Sequence, residues 1–408
     1  MAQKTSEIAT AYRLEQFFDG IGKHLKDRRK KESFAMYAFG ILGDGERKSA
    51  EPIAARACGD ESRTAATHQK LIYFLAHSRW DDRAVRMDAT RYAIDAVQER
   101  ESITTWIVDD TGFLKQGTHS VGVQRQYTGS AGKITNCQVG VSLAVASSSE
   151  QIAVDFELYL PESWTQSRAR RREARIPDNV QFKTKPELAL DMIERAKEQG
   201  IPGDILLADS AYGDSTDFRN GVRALGFDFA VGVHHTLGVL RLDRNDRINT
   251  KRQSAGEVVA ALPKKAFRKV TWRDGTKGKL SGRFCFVRVH TTHDDDIALA
   301  LREPLWLVAE WPEGDEKPSK FVLTTLPRRM SKKQIVRLLK ERWRTERMYE
   351  DLKGELGLDH FEGRSFPGWH HHVSVVLACY AFVVAERARG FPPSASRTRH
   401  YRALSVAA

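Results

Sequence analysis

The stretch ITTWIVDDT at residues 103–111 begins the part of the chain that decides the fold. Two further runs follow it, ITNCQVGVSLAVAS (134–147) and QIAVDFELYLP (151–161), and all three are rich in β-branched residues. Glycine, serine and polar residues separate the runs, which is typical of antiparallel strands joined in a meander. We therefore expect a three-stranded antiparallel unit between residues 103 and 161.

Helices and strands alternate in the next part of the chain. KPELALDMIERAKEQG (185–200) has helical periodicity, ILLADSAYG (205–213) begins as an apolar strand, a second helix is expected around 215–226, and FDFAVGV (227–233) is another strand. Strands that alternate with helices indicate parallel pairing in a sheet covered on both faces. The predicted fold class is therefore α/β, with a mixed sheet as the core.

The regions on either side of this core differ from it in their predicted secondary structure. Apolar residues recur at helical spacing before residue 100, β-type runs return between about 236 and 326, and helical periodicity resumes after Pro327. Within the first region, residues 46–75 predict two helices around a glycine-containing break, which suits either a DNA-binding helix-turn-helix or two packed helices of a bundle. We predict a helical N-terminal DNA-binding domain (1–100), a first core segment (101–235), a β-rich insertion (236–326), a second core segment (327–390) that bears a glutamate-carrying helix, and a basic tail (391–408).

The overall charge favours a polyanionic partner. The chain has 65 lysines and arginines against 53 acidic residues among its 408 residues, a net charge of +12. Nucleic acid is the expected partner of such a protein. The longest apolar run, VSVVLACYAFVVA (373–385), is shorter than the roughly 20 residues that span a bilayer, so we expect a buried helix, no membrane association and a cytoplasmic location.

Acidic residues at strand ends are the candidate chemical groups. Asp109 and Asp110 end one predicted strand and Asp209 ends another. Each aspartate alone is explained equally well as a cap of the following turn or helix. Two of them together with a glutamate on a neighbouring helix could hold a pair of divalent cations that act on a phosphodiester. The segment 328–347, with nine lysines and arginines against two glutamates, would bind the phosphates.

Three segments carry a resemblance to a known family. WIVDDTGF (106–113), LLADSAYG (206–213) and RWRTERMYEDLK (342–353) resemble, in that order, the catalytic segments of DDE transposases of bacterial insertion sequences. The most similar branch has a ribonuclease H-like core, a β-rich insertion and a Tyr-x2-Arg-x3-Glu-x6-Lys signature. Arg342, Glu346 and Lys353 match the last three signature positions, whereas Leu339 stands where the family has its phosphate-contacting tyrosine.

The resemblance implies a catalytic triad. Asp110, Asp209 and Glu346 would hold two Mg²⁺ ions, for which Mn²⁺ could substitute. Neighbouring residues of a strand point to opposite faces, so only one of Asp109 and Asp110 can face the metals, and the family's Asp-Thr pair favours Asp110. Glu350, on the same side of an ideal helix as Glu346, is the rival for the third ligand.

The resemblance also implies DNA contacts. Arg342 and Lys353 would hold the DNA backbone. Other basic side chains of the two arginine-rich segments would help: Arg344, Arg347, Arg170, Arg171 and Arg172. Three consecutive histidines, 370–372, diverge on a helix and are given no catalytic role. Trp306 and Trp311, in the insertion, are expected mainly in packing, although related transposases hold a flipped base with an aromatic residue there.

The implied function is cut-and-paste DNA transposition. The protein would bind the terminal inverted repeats of an insertion sequence as a homodimer on double-stranded DNA, cleave them and join the freed 3′ ends to target DNA. Two alternatives remain from the sequence: a transposase-derived DNA-binding regulator without catalysis, and a structure-selective ribonuclease H-like nuclease.

Overall fold

The N-terminal region is helical. The computed structural model describes residues 2–243, 245, 247–275, 278–292 and 303–390, so the predicted basic tail lies outside the described residues. Before residue 105 this described part contains helices and no strand: α1 (Ala2–Gly22), α2 (Arg28–Leu42), α3 (Ala50–Cys58), α4 (Glu61–Ala76) and α5 (Asp82–Gln98). Aspartates cap three of them, because the side chains of Asp27, Asp60 and Asp81 accept hydrogen bonds from backbone N–H groups of the first turns.

The core is a mixed sheet, as predicted. Its strands are β1 (Thr105–Leu114), β2 (Gln124–Thr128), β3 (Lys133–Ala146), β4 (Gln151–Tyr159), β5 (Ile205–Ala208) and β6 (Asp228–Val233). β3 pairs antiparallel with β1, β2 and β4, whereas β5 pairs parallel with β1 and with β6. The α/β fold class and its ribonuclease H-like order of elements are therefore confirmed.

Helices connect the core strands. They are α6 (Glu162–Thr165), α7 (Arg168–Ala174), α8 (Lys185–Glu198), α9 (Ser210–Gly213) and α10 (Thr216–Ala224). A capping box begins α8: the Thr184 side chain accepts from the backbone of Glu187, and the Glu187 side chain accepts from the backbone of Thr184. This fixes where the helix starts, and with it the position of Lys185.

The strands predicted as a separate insertion continue the same sheet. They are β7 (Gly238–Leu242), β8 (Ile248–Ser254), β9 (Arg268–Gly275), β10 (Gly278–Thr291), β11 (Leu305–Trp311) and β12 (Lys320–Thr324), with the short helix α11 (Ala255–Ala260) between β8 and β9. β12 pairs antiparallel with β6, which gives the order β2-β3-β1-β5-β6-β12-β11-β10-β7-β8 among the described residues. The open edge of β6 offers unpaired backbone groups, and pairing satisfies them.

The segment that carries the signature residues, here called the signature segment (332–355), is not one straight helix. It divides into α12 (Lys332–Glu341), α13 (Arg344–Glu350) and a wider π-type turn over Asp351–Glu355. Between the two helices, the backbone N–H groups of Thr345 and Glu346 donate to carbonyls three residues earlier, at 3.0 and 3.2 Å. Such a tight turn rotates the chain further per residue than an α-helix does. The alignment of side chains expected from 100° per residue therefore does not extend across Arg342.

The last described helix, α14 (Phe366–Ala388), passes through the centre of the molecule. Among the described residues it is the helix long and apolar enough to span a membrane. Its most apolar stretch is buried inside the protein, as predicted. One continuous hydrophobic cluster joins it to the N-terminal helices and the sheet. The ring centroids of Phe17 and Phe382 lie 5.5 Å apart, and Arg13 Nε donates to Glu386 Oε1 at 2.7 Å. The domain boundaries stay a prediction.

Candidate active site

Asp109 and Asp209 lie at the same edge of the sheet. β1 and β5 are parallel neighbours, and their last paired residues are Ile107 and Leu207. Each aspartate therefore comes two residues beyond this pair. Asp209 also caps α9, since its Oδ1 accepts from the backbone N–H of Ala211 at 2.9 Å. In open α/β sheets the carboxyl ends of parallel strands are where ligands bind.

The side chain of Asp109 faces the helix that carries Glu346. Asp109 is directly opposite Ser142 in the β1–β3 register, and directly opposite residues share a face. The hydroxyl oxygens of Ser142 and Tyr349, on α13, lie 2.6 Å apart, which places α13 over this face. Arg342, just before α13, donates from Nη1 to Asp109 Oδ2 at 2.8 Å.

Asp110 points to the opposite face, towards α8. Its Oδ2 accepts from Lys185 Nζ at 2.7 Å and from the Tyr212 hydroxyl at 3.4 Å. Neither contact involves α12 or α13. The alternation of side chains along β1 thus separates two adjacent carboxylates, one paired with Arg342 and the other with Lys185.

Burial disfavours the charged form of the carboxyl groups at this edge of the sheet. It raises the pKa of Asp109 to about 7; the Arg342 guanidinium opposes this shift, and the carboxylates of Asp209 and Asp110 add to it. Burial likewise raises the pKa of Asp209, with Arg342 opposing and Asp110 adding. The carboxyl groups of Asp109, Asp110 and Asp209 are therefore close enough to disfavour ionisation among them, and a cation at this site would relieve the repulsion.

Glu346 lines a cavity together with Asp209. The cavity has a volume of about 480 Å³, and Lys340, Arg342 and Leu339 also line it. Glu350, the rival from the sequence, is not among the lining residues, and its carboxylate pairs with Arg347 at 2.6 Å while remaining 65% exposed. The cavity geometry therefore favours Glu346.

The donor chemistry of this edge fits a divalent cation. The available ligands are carboxylate oxygens, which Mg²⁺ and Mn²⁺ prefer, and two of them carry the mutual repulsion described above. In the described part of the chain no three acidic, histidine or cysteine side chains are close enough to surround one ion. The Asp109 carboxylate is paired with Arg342 instead.

Comparison with known proteins assigns the family. The family model described as DDE superfamily endonuclease matches residues 16–279, more than half of the chain. The chain belongs to this family. It is also 26% identical, over 243 residues, to a probable transposase for insertion sequence element IS701 from Microchaete diplosiphon. That match covers 59% of each chain, so this chain spans well under two thirds of the relative's length. The resemblance to DDE transposases of insertion sequences is confirmed.

The family match includes two of the three predicted acidic positions. Residues 16–279 contain Asp109, Asp110 and Asp209 but end before Glu346. The role of Glu346 in this DDE endonuclease therefore remains a prediction that rests on the signature and on the cavity. Endonucleases of the superfamily generally use divalent metal ions.

The basic residues of the signature segment that were predicted to contact DNA differ in their contacts and in their exposure. Lys353 Nζ donates to Thr111 Oγ1 and to the Gly112 carbonyl, both at 2.7 Å, and burial lowers the pKa of its ammonium group. The Arg344 guanidinium contacts Glu341 and the Ser148 carbonyl. Lys353 thus attaches the signature segment to β1, and Arg344 attaches it to the turn after β3, while Arg342 and Arg347 are each more than one third exposed.

The arginines of α7 also divide into two groups. Arg171 donates to the carbonyls of Pro177 and Val180, at 2.7 and 2.9 Å, and so holds the following loop. The Arg170 guanidinium lies 4.9 Å from the Trp164 ring centroid, and Arg172 is exposed. Arg172 is therefore the best placed of the three for a phosphate, and the DNA contact itself stays a prediction.

The histidine run and the two tryptophans make packing contacts. His370, His371 and His372 each lie within hydrogen-bonding distance of a different partner: Glu157, the Leu75 carbonyl and the Tyr37 hydroxyl. Trp306 packs edge-on against Phe286, and Trp311 donates to the Asp315 carbonyl at 2.9 Å. These contacts account for all five side chains without a catalytic role.

Four further side chains in contact with the acidic edge were not singled out from the sequence. They are Lys185 and Tyr212 beside Asp110, and Ser142 and Tyr349 beside Asp109. Tyr349 lies within the quoted signature segment, but no sequence pattern distinguishes a tyrosine that contacts the site from any other tyrosine on an amphipathic helix. The contact of Lys185 depends on how α8 packs across the sheet, which local periodicity does not report.

Proposed function

We propose that this chain is a DNA transposase that cleaves the ends of an insertion sequence and joins the freed 3′ ends to target DNA. The observation that carries the proposal is the arrangement of two carboxylates: Asp109 pairs with Arg342, and Asp209 lines the cavity that Arg342 and Glu346 also line. Family membership supports a nucleolytic reaction, and the relative's name supports transposition.

We propose Asp209, Glu346 and one residue of the Asp109–Asp110 pair as ligands of two Mg²⁺ ions. The family match from the sequence favoured Asp110, whereas the geometry supports Asp109, because its side chain shares a face with α13. When bound, the two ions would activate water and stabilise the leaving oxygen of the phosphodiester. Mn²⁺ offers similar oxygen coordination and is expected to substitute.

The basic side chains at the site are proposed to bind the DNA backbone. Arg342 is more than one third exposed and reaches Asp109, so its guanidinium can exchange the carboxylate for a phosphate oxygen when DNA arrives. Lys340 and Lys320 line the same cavity as Glu346 and add positive charge there. These residues would orient the scissile phosphate beside the carboxylates.

The proposed partners are double-stranded DNA in two roles and a second copy of the chain. The element's terminal inverted repeats would be the cleaved DNA, and another duplex would be the target. Pairing of two ends requires two catalytic sites, so a homodimer on DNA is proposed. The reaction would take place in the cytoplasm, where bacterial DNA is accessible.

The test is a strand-transfer assay. Purified protein is mixed with duplexes that carry the element's ends, a supercoiled target plasmid and Mg²⁺ or Mn²⁺. We expect metal-dependent joining of 3′ ends to the plasmid, and loss of both cleavage and joining in Asp209→Asn. Specific binding without any cleavage would indicate the regulator instead, and cleavage without joining would indicate the nuclease.

A further inference from the structure

A third parallel strand brings a histidine to the edge of the sheet that carries the aspartates. β6 pairs parallel with β5, which pairs parallel with β1. On β6, Gly232 packs beside Asp209, since a Cβ atom at Gly232 would lie 3.4 Å from the Asp209 Cα. His234 follows two residues later, just after the end of β6. Asp109, Asp209 and His234 thus come from three neighbouring parallel strands, at the edge where such sheets bind ligands.

The imidazole of His234 is part of the cavity wall. The cavity of about 480 Å³ is lined by His234, Asp209 and Glu346, and also by Lys340 and Arg342. The histidine side chain is 65% exposed, so a ligand can approach it. A phosphodiester attracted by the lysine and the arginine would therefore share the cavity with both carboxylates and the imidazole.

Asp214, in the turn between α9 and α10, fixes the orientation of this ring. Its Oδ1 accepts from the backbone N–H of His234 at 2.9 Å, and its Oδ2 contacts Nδ1 of the same histidine. A carboxylate only accepts hydrogen bonds, so Nδ1 carries a proton. Asp214 does not line the cavity. The other ring nitrogen, Nε2, forms no hydrogen bond with a described residue and is therefore the one available to a ligand.

A histidine held in this way is suited to proton transfer. A carboxylate on Nδ1 fixes the tautomer and leaves Nε2 to exchange a proton with a reacting group. A purely structural pair has the same contact without the cavity: His119 Nδ1 lies 2.7 Å from Glu173 Oε1, and neither residue lines the cavity. The position of His234 beside Asp209 is what distinguishes it from such a surface pair.

We propose that His234 transfers the proton of the 3′ oxygen at the element's end, in cleavage and again in joining. This role rests on the proposed function and adds a residue to its machinery. In cleavage, water attacks the phosphorus, the bond from phosphorus to the 3′ oxygen breaks, and that oxygen keeps the electron pair and takes a proton from Nε2. The attacking water loses its proton to solvent.

Joining uses the same nitrogen in the opposite direction. The 3′ hydroxyl oxygen attacks a phosphorus of the target DNA and gives its proton back to Nε2. The bond from that phosphorus to the target's own 3′ oxygen breaks, and this oxygen takes a proton from solvent. One histidine can serve both steps, because the oxygen that leaves in the first step attacks in the second.

The first test is His234→Asn in the full chain. The asparagine amide nitrogen can replace Nδ1 as donor to Asp214, whereas Nε2 is lost. We expect single-turnover cleavage of an element end to slow by about 100-fold or more, the usual contribution of a general acid. Duplex affinity and melting temperature should stay unchanged. His119→Asn, at the surface pair with Glu173, is the matched control and should cleave at the wild-type rate.

A sulfur substrate separates proton transfer from a structural role. When sulfur replaces the scissile 3′ oxygen, the group that leaves is a thiolate, which departs without a proton. On this duplex we expect His234→Asn to come within about tenfold of the wild type, because the contribution of the general acid is absent for both proteins. Both are compared with Mn²⁺ on the same duplex. An equal deficit on the oxygen and the sulfur duplex overturns the role of His234.

Asp214 provides a second readout as the positioning residue. Asp214→Asn no longer fixes the tautomer, so it should slow cleavage of the oxygen duplex much more than that of the sulfur duplex. The double variant with His234→Asn should be no slower than His234→Asn alone, because Asp214 acts through the histidine. Independent, fully additive losses would contradict this coupling.

The two proposals fail in different ways. If the wild-type protein cleaves and joins element ends and His234→Asn does so at the same rate, the histidine has no part in proton transfer and the transposase proposal stands. If the wild-type protein never cleaves element ends with Mg²⁺ or Mn²⁺, the transposase proposal fails and the role of His234 fails with it.

Discussion

Asp109 and Asp110 are adjacent in sequence and face opposite sides of β1. The Asp109 carboxylate pairs with Arg342 on the side of the helix that carries Glu346, while the Asp110 carboxylate pairs with Lys185 on α8. A metal site can use the carboxylate only on the side from which its other ligands come. The proposal of Asp109 as the first ligand therefore depends on the direction of a side chain.

Substituting each aspartate separately tests this difference. We expect Asp109→Asn to lower metal-dependent cleavage by more than about 100-fold, the upper range seen when partners outside the ligand shell are changed. Asp110→Asn should retain activity within about tenfold of the wild type, because it loses a contact to Lys185 instead of a metal ligand. Gel-based cleavage of an element end measures both, and the reverse ranking would restore Asp110 as the ligand.

The pKa of Asp109 predicts how stability depends on pH. A folded-state pKa of about 7, above the ordinary 3.8, means that the fold favours the protonated carboxyl group. The contribution of Asp109 to stability is therefore complete below about pH 4 and is lost as pH rises through 7, by up to about 4 kcal/mol.

The asparagine side chain of Asp109→Asn cannot ionise, so the variant lacks this pH-dependent loss of stability. Between pH 5 and 8, the free energy of unfolding of the variant, measured with denaturant in the absence of metal, should fall less than that of the wild type. Parallel pH profiles of the two proteins would contradict the assigned pKa. Because metal ligation requires the carboxylate, cleavage at limiting Mg²⁺ should rise with pH through the same range.

At the scale of elements, the short helix α9 positions Asp209 against β6. The Gly213 backbone N–H donates to the Asp209 carbonyl at 2.8 Å. A Cβ atom at Gly213 would lie 1.9 Å from the Gly232 carbonyl oxygen on β6, and backbone cannot give way as a flexible side chain does. The small residue is what allows the turn after β5 to pack on the sheet.

Gly213→Ala should therefore destabilise the protein by about 1–3 kcal/mol or more, the usual cost of overpacking. Cleavage should fall with it, since Asp209 moves with the turn. Gly20→Ala is the matched control: this exposed helical glycine has no atom within 4 Å of an added Cβ, so about 0.5–1 kcal/mol of stabilisation is expected. Thermal unfolding of both variants gives the comparison, and equal melting temperatures would refute the close approach.

At the scale of the whole molecule, the N-terminal helices complete the core. α14 is buried almost throughout its length, and helices that are apolar on all sides require cover on all sides. Part of that cover comes from α1, α2 and α5: Phe17 packs on Phe382, Tyr37 Oη lies 2.9 Å from His372 Nδ1, and Arg86 donates to Ser374 Oγ at 2.7 Å.

Removing residues 1–100 should therefore prevent folding of the remainder. We expect the fragment that begins at residue 101 to bind a hydrophobic dye and to lack the near-ultraviolet circular dichroism of a packed core. Co-expression with residues 1–100 as a separate chain should restore solubility and a cooperative unfolding transition. A fragment that unfolds cooperatively by itself would show instead that the predicted N-terminal domain is an independent unit.

The local pattern was sufficient for the types and order of the longer elements, but it missed β2, a short and mostly unburied strand that pairs with β3. Period-two and apolar runs identified the meander, and helical spacing identified α8, α10 and α14. The aspartates and the basic signature segment were also visible, because a carboxylate beside an apolar run and a dense run of arginines are properties of neighbouring residues. The predicted strand end at Asp109 and Asp110 was wrong, since pairing with β3 continues β1 to Leu114. Family membership followed from the order of the three segments.

Tertiary structure decided what depends on distant partners. Continuation of the core sheet through β12 results from backbone pairing between β6 and a strand almost 90 residues later. The tight turn at Arg342 divides α12 from α13, so Arg342 does not continue the helix of Glu346, and the cavity distinguishes Glu346 from Glu350. The sequence by itself determined which groups carry charge and which segments fold as helix or strand. Only the packed chain decided which carboxylates face each other, because side-chain direction depends on strand register and helix contacts formed across hundreds of residues.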